Sequence, residues 1–116
     1  KGWEPDAAVA GRLKNEKRDV RVLTFFGTWC PHCSRYLPLL IKLQQRLGEA
    51  KIRFDFYGVP QQGMTSEPEA AKWKIDGVPT AIVLVGGKEI GRIPSSGWNN
   101  PELALDVILH PERAGG

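Results

Sequence analysis

The sequence predicts an α/β fold, a mixed four-stranded sheet flanked by helices, with one helix ahead of the first strand. Two observations carry this. Runs rich in apolar and β-branched residues alternate with segments whose apolar residues recur every three to four positions, which makes the first half of the sheet parallel with helical crossovers. The last two strand-like runs are separated only by Gly86-Gly87, so they are expected to fold back on each other as an antiparallel hairpin.

In chain order, Ala7, Ala8, Ala10 and Leu13 stand among charges at helical spacing between Pro5 and about Arg18, with Asp6 placed to cap the first turn. From Val20 to Phe26 nearly every position is apolar or β-branched, the composition of a central strand covered on both faces. Past Gly27, the residues Leu37, Leu40, Ile41, Leu43 and Leu47 recur at helical spacing until Gly48, a stop signal. Pro38 falls inside this long amphipathic helix, where the missing donor and the crowding of the preceding turn predict a kink. Ile52, Phe54 and Phe56 alternate with Arg53 and Asp55 in a second strand, Lys51 to Tyr57, and a loop runs from Gly58 to Thr65. Ser66 and Glu69 have the spacing of a capping box, and Pro68 suits a first turn, so a short helix should carry Ala70, Ala71 and Trp73 to about Lys74. Pro79 to Val85 reads as the third strand and Lys88 to Ile93 as its hairpin partner. Asn100-Pro101 opens a last helix, in which Leu103, Leu105, Val107 and Ile108 lead to about His110.

The length of 116 residues fits one domain, expected over 1–116. Sixteen Lys and Arg against thirteen Asp and Glu leave a net charge of +3. The basic residues are interspersed with acids, as in Lys14 to Asp19, so the coherent basic face that nucleic acid requires is not expected. No apolar run approaches the roughly 20 residues of a membrane span. The chain opens at Lys1 without methionine and without a signal-peptide pattern, which is compatible with a signal or anchor having been removed.

Its only two cysteines are Cys30 and Cys33, which leaves no thiol for a separate structural disulfide. Zinc sites usually take four ligands, and beyond this pair only His32 and His110 offer nitrogen, His32 from a cramped place between the cysteines. The pair is therefore read as a redox dithiol with no metal and no cofactor. Placed where the first strand gives way to a helix, Cys30 would face the unpaired amides and positive dipole end of that helix. Cysteines in such settings have pKa values lowered from about 8.5 to roughly 3.5–7.5, and the thiolate is the attacking species, so Cys30 is the expected nucleophile. Cys33, one turn on and less exposed, would resolve the mixed disulfide. Pro31 fits a first helical turn, and His32 can add charge or an N–H near the sulfur.

The run Phe25-Phe26-Gly27-Thr28-Trp29-Cys30-Pro31-His32-Cys33, with Pro38 following and Gly77-Val78-Pro79-Thr80 further on, resembles the active-site region of the thioredoxin-like oxidoreductases. Gly86-Gly87 and Gly97 also fit, so the resemblance extends from the first helix to Ile108. It implies a thioredoxin fold and a cis peptide bond at Pro79 facing the cysteines. It also makes Val78, Pro79 and Thr80 a platform for the bound substrate; on composition alone Pro79 would be an ordinary strand-opening proline. The Pro31-His32 dipeptide resembles that of the DsbA type of oxidase, whose helical insertion this chain is too short to hold. Six residues before Cys30, where thioredoxins place a buried acid, stands Thr24; Tyr36 occupies the third position after Cys33, where cytochrome-maturation relatives have glutamate. A histidine gained and an acid lost imply a potential more oxidising than thioredoxin's.

Trp29 is expected at the docking surface as a substrate contact, with Trp3, Trp73 and Trp98 as packing residues and His110 complementing the last helix dipole. The loop from Pro60 to Met64 reads as a solvated connection. These features lead to a monomeric thiol–disulfide oxidoreductase that exchanges disulfides with protein substrates and with a redox partner protein. The alternatives are a glutathione-linked, glutaredoxin-like reductase and a non-enzymatic metal-binding or redox-sensing module. An extracytoplasmic bacterial compartment, the periplasm, is the expected location, with the cytoplasm as the alternative.

Overall fold

Strand β1 (Val20–Phe26) has a neighbour on each side, as its two-sided apolar composition requires. Strand β2 (Ile52–Gly58) runs parallel to it, Val20 opposite Ile52, and β3 (Thr80–Val85) runs antiparallel, Val20 opposite Val85. Strand β4 (Lys88–Arg92) pairs antiparallel with β3, giving the sheet order β2-β1-β3-β4. Gly86 and Gly87 make the hairpin turn with φ of 60° and 81°, a region that side chains other than glycine enter with strain. The computed structural model describes residues 2–113, and the outermost positions of the domain expected over 1–116 lie outside them.

Among the described residues four α-helices cover the sheet: α1 (Ala7–Lys14), α2 (Pro31–Leu47), α3 (Pro68–Lys72) and α4 (Pro101–Leu109). The strand period of two divides β1 between two cores. Val20 and Val22 join Leu13 of α1, Leu40 and Leu43 of α2 and Leu105 of α4 in the larger one. Leu23 and Phe25 face the smaller core with Ile82, Leu84, Ala70 and Ile75, where the Phe25 and Tyr57 rings stack at 5.2 Å. Each fully buried leucine is worth roughly 1.5–3 kcal/mol of transfer free energy, so the larger core is the main anchor of the helices around the cysteine pair. Trp98 is buried in it, in keeping with a packing role, while Trp73 is only partly buried beside the smaller core.

Three helix ends differ from the sequence reading. The first helix stops at Lys14 rather than near Arg18, because the Asn15 and Glu16 amides bond back to the Arg12 and Leu13 carbonyls, three residues away, and tighten the last turn. Asp6 caps its other end by accepting from Val9 N–H, as expected. The cap of α3 is Glu67, whose carboxylate accepts from the Glu69 and Ala70 amides; Ser66 belongs to a preceding single turn of tighter helix, Met64–Ser66. Asn100 stands at the start of α4 but its side chain makes no capping bond, and Pro101, having no N–H, leaves one fewer donor to satisfy there.

At the end of the sheet where β1 begins, ionic contacts tie α1 to α4. Glu16 takes Arg18 at 2.6 Å and lies 2.9 Å from His110 Nε2. Arg18 also donates to the Leu109 carbonyl, Arg12 pairs with Asp106 at 3.1 Å, and the Asp6 amide donates to Glu102. His110 thus meets a carboxylate, beyond the dipole role read from its position. Among the described residues no helix is long and apolar enough to cross a membrane.

Candidate active site

At its other end β1 hands the chain to α2 through Gly27, Thr28 and Trp29, and Cys30 takes the N-cap position in extended conformation, φ −99° and ψ 115°. Serine or aspartate oxygen usually accepts a first-turn amide at this position. Here a sulfur does so: Cys33 N–H donates to Cys30 Sγ at 3.3 Å. Pro31 is the first helical residue, where its missing N–H costs nothing, and Cys33 follows one turn in.

Both cysteines are free thiols. Cys33 is the less exposed of the two, 2% against 4%, although both count as buried. Burial in apolar surroundings pushes the Cys33 thiol up to about 11, reinforced by its hydrogen bond with Cys30 and opposed by the backbone at Gly27. Cys30 Sγ points at the Val78 carbonyl 3.7 Å away, and the Val78-Pro79 peptide bond is cis. The expected platform residues therefore stand against the first cysteine. Thr80 does so indirectly, because its hydroxyl donates to the Gly77 carbonyl at 2.6 Å and braces the turn that carries Val78.

Trp29 is 36% exposed beside the cysteine pair, yet its ring is fixed. Its indole N–H donates to the Val59 carbonyl at 2.9 Å, and the ring lies so close over Gly27 that a β-carbon there would overlap it. Val59 is held in turn by its own amide bonding to the Phe26 carbonyl. Sequence reasoning missed Gly27 and Val59 as supports of Trp29; a glycine two residues before an aromatic at a strand end was the available signal for the first.

His32 makes no hydrogen bond to either sulfur among the described residues. It lies in the wall of a cavity of about 290 Å³ together with Tyr36, Pro79, Ile93, Ser95 and Trp98. Beneath the sheet surface Thr24 is completely buried, and its Oγ1 has no hydrogen-bond partner. Among the described residues no group of three or more His, Cys, Asp or Glu stands together as a metal site would require. The site therefore offers two sulfurs one helical turn apart, an amide donor aimed at the outer one, and a half-buried backbone turn beside it.

Known proteins are similar to this chain over most of its length. A family model described as Thioredoxin matches residues 6–104. Thioredoxin-2 of Saccharomyces cerevisiae is 31% identical over 90 residues, spanning 78% of this chain and 76% of that protein. Thioredoxin H2-2 of Oryza sativa subsp. japonica is 26% identical over 99 residues, 85% of this chain and 69% of that one. The crystal structure of oxidized mitochondrial thioredoxin 3 from Saccharomyces cerevisiae aligns at a TM-score of 0.58 and 26% identity, covering 80% of this chain and 84% of that chain. The family match runs from the cap of α1 into α4 and takes in all four strands, the cysteine pair and the Val78-Pro79 turn, and on that span the chain belongs to the thioredoxin family of thiol–disulfide oxidoreductases.

Proposed function

We propose that Cys30 is the attacking sulfur and Cys33 the resolving one, in an enzyme that delivers disulfides to protein substrates outside the cytoplasm. In the reducing half of the exchange, the Cys30 thiolate attacks a substrate disulfide, the substrate S–S bond breaks, and one substrate sulfur leaves as a thiolate. Cys33 then gives up its proton and attacks Cys30 Sγ, forming the Cys30-Cys33 disulfide and releasing the second substrate thiolate. The same steps in reverse donate a disulfide. The observation that carries this division of labour is the Cys33 N–H on Cys30 Sγ at 3.3 Å beside a Cys33 thiol pushed upward by burial. A bond from an amide strengthens as its sulfur gains negative charge, so it favours Cys30 as attacker and as leaving group.

Pro31 sets the first turn, His32 lines the cavity beside the cysteine pair rather than bonding a sulfur, and Trp29 with Val78 and Pro79 presents the docking surface that Thr80 braces. The Pro31-His32 dipeptide, like that of the DsbA type, and Thr24 in place of a buried acid both support net oxidation. That direction fits an extracytoplasmic, periplasmic setting in which disulfides persist. The single domain acts as a monomer and is recharged by a redox partner protein.

Trapping tests the roles. Cys33→Ser should accumulate a mixed disulfide with a reducible protein such as insulin, while Cys30→Ser should form none and lose turnover to background. Accumulation in Cys30→Ser instead would reverse the assignment. Equilibration with glutathione should give a potential above thioredoxin's, about −270 mV. A value at or below that figure defeats the oxidising direction, and turnover that depends on glutathione would move the protein to the glutaredoxin-like reading.

A further inference from the structure

The cavity beside the cysteine pair has a polar character that disulfide exchange by itself does not explain. Tyr36 and Trp98 give it aromatic walls, their ring centroids 6.4 Å apart and tilted by 37°. Four groups in its lining can donate a hydrogen bond: the His32 ring, the Tyr36 and Ser95 hydroxyls and the Trp98 indole N–H, the last of which can only donate. None of the four has a hydrogen-bond partner among the described residues, and no Asp or Glu lines the cavity. Trp98 is 3% exposed and lines the cavity, and its N–H is not among the buried polar atoms left without a partner. The Arg35 guanidinium lies 5.5 Å from the centre of the Tyr36 ring.

We propose that this cavity receives an acidic side chain of the protein substrate, next in sequence to the cysteine that reacts with Cys30. The inference rests on Cys30 being the attacking sulfur. Pro79 links the two places, since it lines the cavity while the carbonyl of its neighbour Val78 lies 3.7 Å from Cys30 Sγ. A glutamate fits the cavity's chemistry in both its parts, with methylenes against the rings and a carboxylate among the donors. Lysine brings donors to donors. Leucine suits the rings but leaves the donors facing hydrocarbon.

Four peptides test this, identical except for Glu, Gln, Leu or Lys beside a single cysteine carried as its 2-thiopyridyl disulfide. With the Cys33→Ser variant, the Cys30 thiolate attacks the peptide sulfur, the peptide–pyridyl S–S bond breaks, and 2-thiopyridone departs with the electron pair, leaving the Cys30–peptide disulfide. Thiopyridone absorbance gives the rate and mass spectrometry the adduct; each rate is divided by that of the same peptide with a small free thiol. The Glu peptide should react about tenfold faster than the Leu and Lys peptides, the size of one hydrogen bond to a charged group. Trp98→Phe, which keeps a ring and deletes the N–H, should cut that preference at least about threefold, and so should Tyr36→Phe at a position that tolerates change if Trp98→Phe does not fold. Equal rates for all four peptides, or a preference untouched by loss of these donors, overturns the acidic subsite and leaves Cys30 as the attacking sulfur. Failure of every peptide to form an adduct overturns both assignments together.

Discussion

The two ends of β1 treat Glu16 and Thr24 in opposite ways, although Glu102, between α1 and α4, also keeps one buried oxygen without a hydrogen-bond partner among the described residues. Ahead of Val20, the Glu16 carboxylate is nearly sealed from solvent and fully engaged, taking Arg18 and His110. Its hydrogen bonds with Arg18 hold it down at about pKa 2 against the upward pull of burial, with the Arg18 backbone amide and His110 adding to the effect. At the other end of the strand, Thr24 Oγ1 has no partner among the described residues, and the Cys30 sulfur has only long contacts, the Cys33 amide at 3.3 Å and the Val78 carbonyl at 3.7 Å. A polar group satisfied from several sides sits in a deep well and fixes α1 against α4. A sulfur that must change partners in every cycle cannot be held that way, so the reactive end is left under-paired and takes its order from packing.

If packing supplies that order, a methyl group in the wrong place should do more damage at the reactive end than the loss of a charge at the other. Gly27→Ala puts a β-carbon into the Trp29 indole, so the ring must leave Gly27 and give up its bond to the Val59 carbonyl. The expected cost is about 2–3 kcal/mol, the sum of overpacking and one lost hydrogen bond. Exchange with protein disulfides should fall as well, and Trp29 emission should shift to the red. Unchanged stability together with unchanged exchange would show that the seat of Trp29 is not part of the site's order.

Glu16→Gln probes the ionic end. The carboxamide keeps the shape and can still accept from Arg18, but without charge, and since Arg18 is half exposed the expected loss is about 1–2 kcal/mol at neutral pH. A carboxylate with a depressed folded-state pKa contributes stability above its unfolded value, and this is lost as pH falls through the folded value. The wild type should therefore weaken between about pH 4.5 and 2, and the variant should show a shallower decline over that range in urea titrations. Cys33 makes the mirror image. Its pKa is raised, so the folded state keeps a proton that the unfolded thiol loses near pH 9, and stability should fall as pH rises from about 9 towards 11. Reduced Cys33→Ala should lack that alkaline decline; an identical decline in both proteins would place the Cys33 thiol in ordinary surroundings.

The two ends were unequally legible in the sequence. The cysteine pair and the strand before it are one contiguous run that local chemistry reads directly, and the resemblance to thioredoxin-like oxidoreductases brings the Val78-Pro79 turn beside them. The contacts of Glu16 with His110 and of Asp6 with Glu102 join residues more than ninety positions apart, and only the packing of α1 on α4 brings them together. Glu67 displaced Ser66 as a cap because a carboxylate one residue later could reach two amides at once, a choice that spacing rules do not rank. The cavity beside Cys30 escaped for a related reason. Trp98 reads as a packing residue and Tyr36 only as the place of an absent acid until α2 and the segment after β4 are seen to meet.

The smallest expected effect bears most directly on the comparison, because it asks whether under-pairing at the reactive end has a measurable cost. Thr24 Oγ1 is shut away without a partner, so its hydroxyl pays desolvation and recovers nothing in the folded state. Thr24→Val replaces that oxygen by a methyl of nearly the same shape, keeps the β-branch that suits a central strand, and should stabilise the protein by about 1 kcal/mol. The urea midpoint should rise with the slope unchanged. Destabilisation by a similar amount would mean that the hydroxyl is satisfied in solution, by an internal water or by a Cys33 that moves, and the two ends of β1 would then differ in the kind of partner they use rather than in how many.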